Sequence, residues 1–245
     1  MNTGVILLVH RHGEEVDPVA GWYLERLEEK GHRNVRLAYH EGSPSMEDVL
    51  RDIRVPGVNN TVVVLPLLVS EGNLSVWRMP KGMGMPDNSC SFTYITGTHI
   101  AIRFSTAFDR ADALSEVLLK RLKEAGAGPE DGVLLMHKGS ELAMSGQAAE
   151  KHAQYIRDHG FPLVECNSVR YGKEDLSESV GSLKKGGARR IVMLPMFMFE
   201  GESVRETIPK MITDANPGIP VVCAKCLGCD DLLFEEMDRK IPEDW

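Results

Sequence analysis

The chain has 245 residues, 42% of them hydrophobic, which suffices for one two-lobed domain or two small ones. A formal net charge of −8 argues against general nucleic-acid affinity, and an anionic substrate would need local Arg and Lys to overcome that field. The longest apolar runs are strand-sized, which argues against a membrane span, and five Cys behind an N-terminus without a signal peptide point to a cytoplasmic protein.

Taken in chain order, Gly4–His10 is a continuous apolar run that ends in a polar, Gly-containing turn, the pattern of a strand buried on both faces. Trp22–Leu27 is amphipathic. Pro44 and Ser45 open a helix over Met46–Ile53, with Ser45 as N-cap. Val62–Val69 is a second buried-type strand, followed by Ser70-Glu71-Gly72. Arg78–Pro86 is broken by Pro and Gly and predicts a loop instead of a long helix. A helix over Ala111–Ala125 closes this stretch, and Glu124–Asp131 reads as a short linker. The series then starts again: strand Gly132–His137, amphipathic His152–Arg157, helix Leu176–Leu183, strand from Ile191, helix Glu202–Ala215 and a final helix Asp230–Lys240.

The recurrence is exact at three positions. Pro66, Glu71 and Gly72 reappear 129 residues later as Pro195, Glu200 and Gly201. The chain is therefore a tandem duplication, with a first half over 1–127 and a second over 128–245. Each half reads β-α-β-α-β-α-β-α. The fold class is α/β: two tandem Rossmann-like halves with parallel sheets and, as an expectation, a cleft between them. Ligands of such sheets bind beyond the carboxyl ends of the strands. Those ends are rich in His, Glu, Cys and Ser, groups that pass protons and hold divalent cations.

These residues resemble the sirohydrochlorin chelatases of the cobalamin and siroheme pathways, relatives of ferrochelatase. The resemblance is strongest from Gly186-Gly187-Ala188-Arg189-Arg190-Ile191 through Pro195, Gly201, Val204-Arg205 and Ile208-Pro209 to Asn216-Pro217-Gly218-Ile219 and Leu227-Gly228. The first half keeps Glu41, Pro44-Ser45, Pro66 and Gly72. The resemblance implies a lyase that inserts cobalt, iron or nickel, the divalent metal being a substrate, into a tetrapyrrole held in the interlobe cleft, with loss of two pyrrole protons. One family His lies in a His-Gly-Ser turn after the first strand of a half; a second lies two residues past the Gly of the Pro-to-Gly strand. Here His12-Gly13-Glu14 stands at the first turn of the first half. In the second half Lys138-Gly139-Ser140 does, with His137 one place earlier. At the second His position stand Leu74 and Ser203, and Thr207 replaces a usual acidic residue.

The candidate catalytic residues are then His12, His10, His137, Glu71 and Glu200. His137 is supported by an equivalence to His10, and the two repeated Glu have bonding of backbone amides as a rival role. Arg11, Lys138, Ser140, Arg78, Ser203 and Arg205 are candidates for binding acidic substrate side chains. His12, His10 and Glu202 are candidate metal ligands. Cys223, Cys226 and Cys229 have spacing that suits an iron–sulfur cluster or zinc, although strand alternation points Cys223 and Cys226 to opposite faces. Met79, Met83 and Met85 read as a plain flexible loop, with covering a macrocycle or holding a soft metal as the rival roles. His40 and His99 read as solvated or structural, and His32, His152 and His159 as surface residues. The expected partner is a tetrapyrrole, with no nucleic acid and no membrane, and the protein a monomer or homodimer. Two other functions stay open: a non-catalytic tetrapyrrole or metal carrier, and phosphoryl transfer of the histidine-phosphatase type through Arg11-His12-Gly13.

Overall fold

The computed structural model describes residues 2–11, 16–55, 60–72, 78–82, 85, 91–95, 98–109, 111–142, 144–171 and 176–242. The first repeat contains β1 (Asn2–Arg11), α1 (Pro18–Glu29), β2 (Val35–Glu41), α2 (Met46–Ile53), β3 (Asn60–Pro66), α3 (Met79–Gly82), β4 (Ser91–Ile95), β5 (Thr98–Phe104) and α4 (Asp112–Glu124). The second contains β6 (Gly132–His137), α5 (Met144–Asp158), β7 (Val164–Ser168), α6 (Leu176–Lys185), β8 (Ile191–Pro195), a π-helical turn (Ser203–Thr207), α7 (Ile208–Ala215), β9 (Val221–Cys223) and α8 (Asp231–Asp238).

The first sheet runs β2-β1-β3-β5-β4 and the second β7-β6-β8-β9. All pairings are parallel except β4 with β5. The antiparallel edge strand β4 is an addition that no apolar run announced. The registers of the two sheets match. Leu8 faces Pro66 as Met136 faces Pro195, and Val5 faces Val35 as Val133 faces Val164. The amide after each Pro donates across to the same carbonyl: Leu67 to Leu8 and Met196 to Met136, both at 2.8 Å. This register corrects one equivalence. Val9 faces Tyr39 and His137 faces Ser168, so His137 corresponds to Val9, and His10 corresponds to Lys138.

Alternation builds the cores. Ile6, Leu8, Val62 and Val64 point to one face of the first sheet, against Val49, Leu50 and Ile53 of α2 and against Met79 and Met85. Leu134, Met136, Ile191 and Met193 do the same in the second, against α6 and against Ile208 and Met211 of α7. Met79 and Ile208 are 129 positions apart and each is at most 2% exposed, so the four-residue α3 is the counterpart of the start of α7. Met79 and Met85 are thus core residues, because burying their apolar side chains is favoured over exposing them to a soft metal; Met83 lies outside the described residues.

Helix α2 begins as its sequence predicts. The Ser45 hydroxyl accepts from the Asp48 amide, and the Asp48 carboxylate accepts from the Ser45 amide. The Glu202–Ala215 segment is less regular than expected. It opens with the π-helical turn, because Pro209 lacks an N–H and its ring crowds the preceding turn.

The chain forms two compact units, and these divide differently from the repeats. The first unit is 1–108 with 233–245, and the second is 109–232. Helix α4 of the first repeat belongs to the second unit, and all but the start of α8, from the second repeat, belongs to the first.

Candidate functional site

In a 2-1-3 strand order the chain reverses direction of winding between the first and third strands, and a crevice opens beyond their carboxyl ends. In the first unit that edge carries His10 and Arg11 on β1, His40 and Glu41 on β2, and Glu71-Gly72 after β3. The backbone pairs Arg11 with Glu41, so β1 extends far enough to bring His10 beside the end of β2. His10 Nε2 lies 3.8 Å from Glu41 Oε1, and Arg78 lies 3.9 Å from the same oxygen. The His10 and His40 rings stack with centroids 6.0 Å apart at 19°. Burial lowers the His40 pKa first and the nearby Arg78 guanidinium lowers it further, outweighing Glu41. His40 is therefore a neutral imidazole at pH 7, and it joins this group although its sequence context suggested a solvated or structural side chain. Its position beside Glu41, at the end of a parallel strand, was the available signal. Glu71 is 5% exposed and Gly72 is buried. His12 lies outside the described residues, as do Gly13 and the side chain of Arg11.

The second unit has different chemistry at the same edge. Lys138, the counterpart of His10, donates from Nζ to Ser203 Oγ at 2.8 Å. This bond spans the ends of β6 and β8. Ser140 Oγ accepts from the Leu142 amide, and Ser168 Oγ from the Tyr171 amide. Gly139, at φ +79°, lies where a Cβ would come within 3.0 Å of Ser168 Cβ, so the turn admits only Gly. His137 is 7% exposed, and its Nδ1 lies 3.4 Å from Ser145 Oγ. Burial lowers its pKa, and its partner Ser145 lies on α5. Glu200, Glu202 and Arg205 are exposed. The repeated pair thus splits, with Glu71 buried and Glu200 open to solvent.

The three Cys differ in exposure. Strand β9 ends at Cys223, which is exposed, as is Cys229, while Cys226 is buried. Cys226 Sγ approaches the Phe199 carbonyl at 3.5 Å. Burial first, and then the neighbouring Glu200, push the Cys226 thiol up to about 12 and raise Cys223 as well. Among the described residues, no three His, Cys, Asp or Glu side chains form a group that could hold a metal ion.

Two further His readings are corrected. His152 is fully buried: Nδ1 lies 2.7 Å from Ser115 Oγ and Nε2 3.1 Å from the Asp109 carbonyl. A core position on α5 that can satisfy both ring nitrogens explains why it is not on the surface. His32 is half-buried and bonds Asp238 at 2.5 Å. His159 is exposed and stacks on Tyr155, and His99 is exposed. Among the described residues, no helix is long and apolar enough to cross a membrane.

A duplicated α/β chain of two Rossmann-like halves has the architecture of the chelatase class. The profile of the CbiX family matches residues 6–125 and again 132–244, and the chain belongs to that family. Over 131 residues it is 27% identical to the chloroplastic sirohydrochlorin ferrochelatase of Arabidopsis thaliana, covering 52% of this chain and 56% of that protein. Over 121 residues it is 29% identical to a sirohydrochlorin cobaltochelatase of Saccharolobus solfataricus, covering 46% of this chain and 94% of that one. Among solved structures, SirB from Bacillus subtilis with Fe3+ superposes with a TM-score of 0.72 at 16% identity, covering 97% of this chain and 94% of that one, which establishes the shared fold.

Proposed function

We propose that this protein inserts a divalent metal, cobalt, iron or nickel, into a sirohydrochlorin-type tetrapyrrole. The observation that carries this reading is the grouping of His10, His40, Glu41 and Arg78 at the carboxyl edge of β1 and β2. Insertion requires the macrocycle to lose two N–H protons as the metal enters. Neutral imidazoles supply the lone pairs for that task, or bind the incoming metal before transfer. Glu41 then stabilises a His10 imidazolium, since the carboxylate already lies within ion-pair range of the ring. Glu71, buried beside the same edge, is a further acceptor. His12 and Arg11 belong to this set by their place in the sequence.

The second unit is suited to a different part of the task. At the position of His10 it carries an ammonium group, which holds carboxylates and cannot accept a proton. Lys138 and Ser203, with Ser140 and Arg205 on the same edge, fit binding of acidic substrate side chains. The metal is transferred cargo, and no iron–sulfur cluster enters this reading. A cytosolic setting fits the four free thiols among the described residues.

The test is anaerobic titration with sirohydrochlorin, then addition of each metal, followed by absorbance. Acceleration over spontaneous insertion, lost in His10→Ala and kept in the exposed control His159→Ala, is expected. A spectral change on binding without acceleration would instead support a carrier.

A further inference from the structure

The terminal helices of the two repeats carry equivalent cations that do equivalent work. Arg121 on α4 and Lys240 just beyond α8 are 119 positions apart, as are Ala107 and Cys226, and Asp112 and Asp231 at the two helix starts. Arg121 Nε donates to the Cys226 carbonyl at 3.0 Å, and its NH2 group donates to the Leu227 carbonyl and lies 3.4 Å from Asp230 Oδ2. Lys240 Nζ donates to the Thr106 and Ala107 carbonyls at 3.1 and 3.0 Å and sits 4.8 Å over the Phe108 ring. In both units the grip falls on the turn between the last parallel strand and the helix that follows it in sequence. Carbonyls there have no ladder partner, so a charge-assisted bond satisfies them and fixes the turn. Beside the second turn the Asp230 carboxylate accepts from Lys120 Nζ at 2.7 Å and is approached by Arg121, whereas the corresponding residue of the first unit is Ala111.

Each gripped turn is bonded in turn to the segment leaving the third strand. The Phe108 amide donates to the Leu68 carbonyl at 3.3 Å. The Leu227 and Gly228 amides donate to the Phe197 and Met198 carbonyls at 2.9 and 3.1 Å. Three residues beyond Leu68 and Phe197 stand Glu71 and Glu200. The path in each unit therefore runs from the cation to the turn, and from the turn to the segment that ends in the repeated Glu-Gly. Because α4 belongs to the second unit and the C-terminal segment to the first, each unit takes its cation from the terminal helix of the other repeat.

We infer that Arg121 and Lys240 are positioning residues for the strand-edge site, each contributed by one repeat to the unit built on the other. This rests on the proposed chelatase reading. The experiment compares Arg121→Met, Arg121→Lys, Lys240→Met, Lys240→Arg and the exposed control Lys123→Met in the full chain. Two readouts are taken: amide hydrogen exchange and the kinetics of cobalt insertion into sirohydrochlorin. Exchange at Leu227 and Gly228 should quicken in Arg121→Met alone, and at Phe108 in Lys240→Met alone. Each Met variant should lose about tenfold in kcat with KM changed less than about twofold, while Arg121→Lys and Lys240→Arg stay near the parent. Unchanged exchange in both Met variants, or kcat equal to that of Lys123→Met, would overturn the inference. A parent chain that accelerates no insertion would sink the chelatase reading, and the positioning role with it, while exchange would still decide whether the two cations fix the turns.

Discussion

Lys138 Nζ donates to Ser203 Oγ at 2.8 Å, and the pair spans the ends of β6 and β8, where the winding of the second sheet reverses. The same edge of the first unit has His10 in the place of Lys138. The two repeats thus carry unlike chemistry at the same edge, imidazoles with a carboxylate in the first and an ammonium with a hydroxyl in the second. This split predicts unlike kinetics. His10→Ala should lower kcat for metal insertion by about 100-fold, the ordinary worth of a general base, with little change in KM. Lys138→Ala should chiefly raise KM for the tetrapyrrole. Steady-state rates of cobalt insertion at varied sirohydrochlorin decide it, and equal kcat losses in the two variants would contradict the division.

The buried His152 makes stability depend on pH. Its pKa falls to about 4, first through burial, because the folded environment favours the neutral ring. The unfolded chain takes up that proton near pH 6.5, the ordinary value, and the folded chain only near 4. The stabilisation is therefore complete above about pH 6.5 and is lost as pH falls towards 4, with a ceiling of about 3 kcal/mol. His152→Gln should flatten this part of the profile while weakening the fold at pH 7. Urea unfolding of both chains at pH 7 and 4.5 measures the difference, and parallel losses on acidification would remove His152 as the cause.

The starts of β1 and β6 should tolerate side chains poorly. A Cβ on Gly4 would lie 2.3 Å from Ile53 Cδ1 and 2.7 Å from its Cγ1, and one on Gly132 would lie 3.1 Å from the Cβ atoms of Ala188 and Leu183. Both glycines let a helix close onto the sheet. Gly4→Ala should cost about 1–3 kcal/mol by overpacking, and Gly132→Ala somewhat less, since its neighbours need to give only a few tenths of an ångström. Thermal unfolding ranks them against Gly21→Ala, which meets nothing within 4 Å.

The repeat was legible because it is written in buried strands. Pro66 and Pro195 end runs that are paired on both sides as central strands, and the helix Met46–Ile53 carried its own capping signal. What escaped depends on partners distant in sequence. His152 reads as a polar residue on an amphipathic helix until Ser115 and the Asp109 carbonyl are brought to its ring. The equivalence of His10 with Lys138, and not with His137, is a matter of register, and a one-residue slip in an apolar run leaves no mark in composition. The exchange of the terminal helices is likewise invisible in the sequence, since α4 and α8 have the same place in their repeats whichever unit they cover. Of the candidate site only the strand ends are legible in the sequence, and the association of His40 and Glu41 with His10 needed the parallel pairing of β1 and β2.

The Cys spacing gives the last prediction. Cys223 ends β9, and Cys226 and Cys229 lie in the turn beyond it, whose carbonyls are gripped by Arg121, so the backbone there is already committed. A cluster needs thiolates that converge on one point, and among the described residues no three His, Cys, Asp or Glu side chains form such a group. Anaerobically purified protein should therefore be colourless and free of acid-labile sulfide, and Cys226→Ser should leave its metal content unchanged. Alkylation at pH 7.5 should modify Cys226 more slowly than the exposed Cys229, by mass spectrometry of the digested chain, because Cys226 is both buried and protonated. Brown protein that loses iron and sulfide together in Cys226→Ser would show that this turn rearranges around a cluster, at the expense of the Arg121 grip.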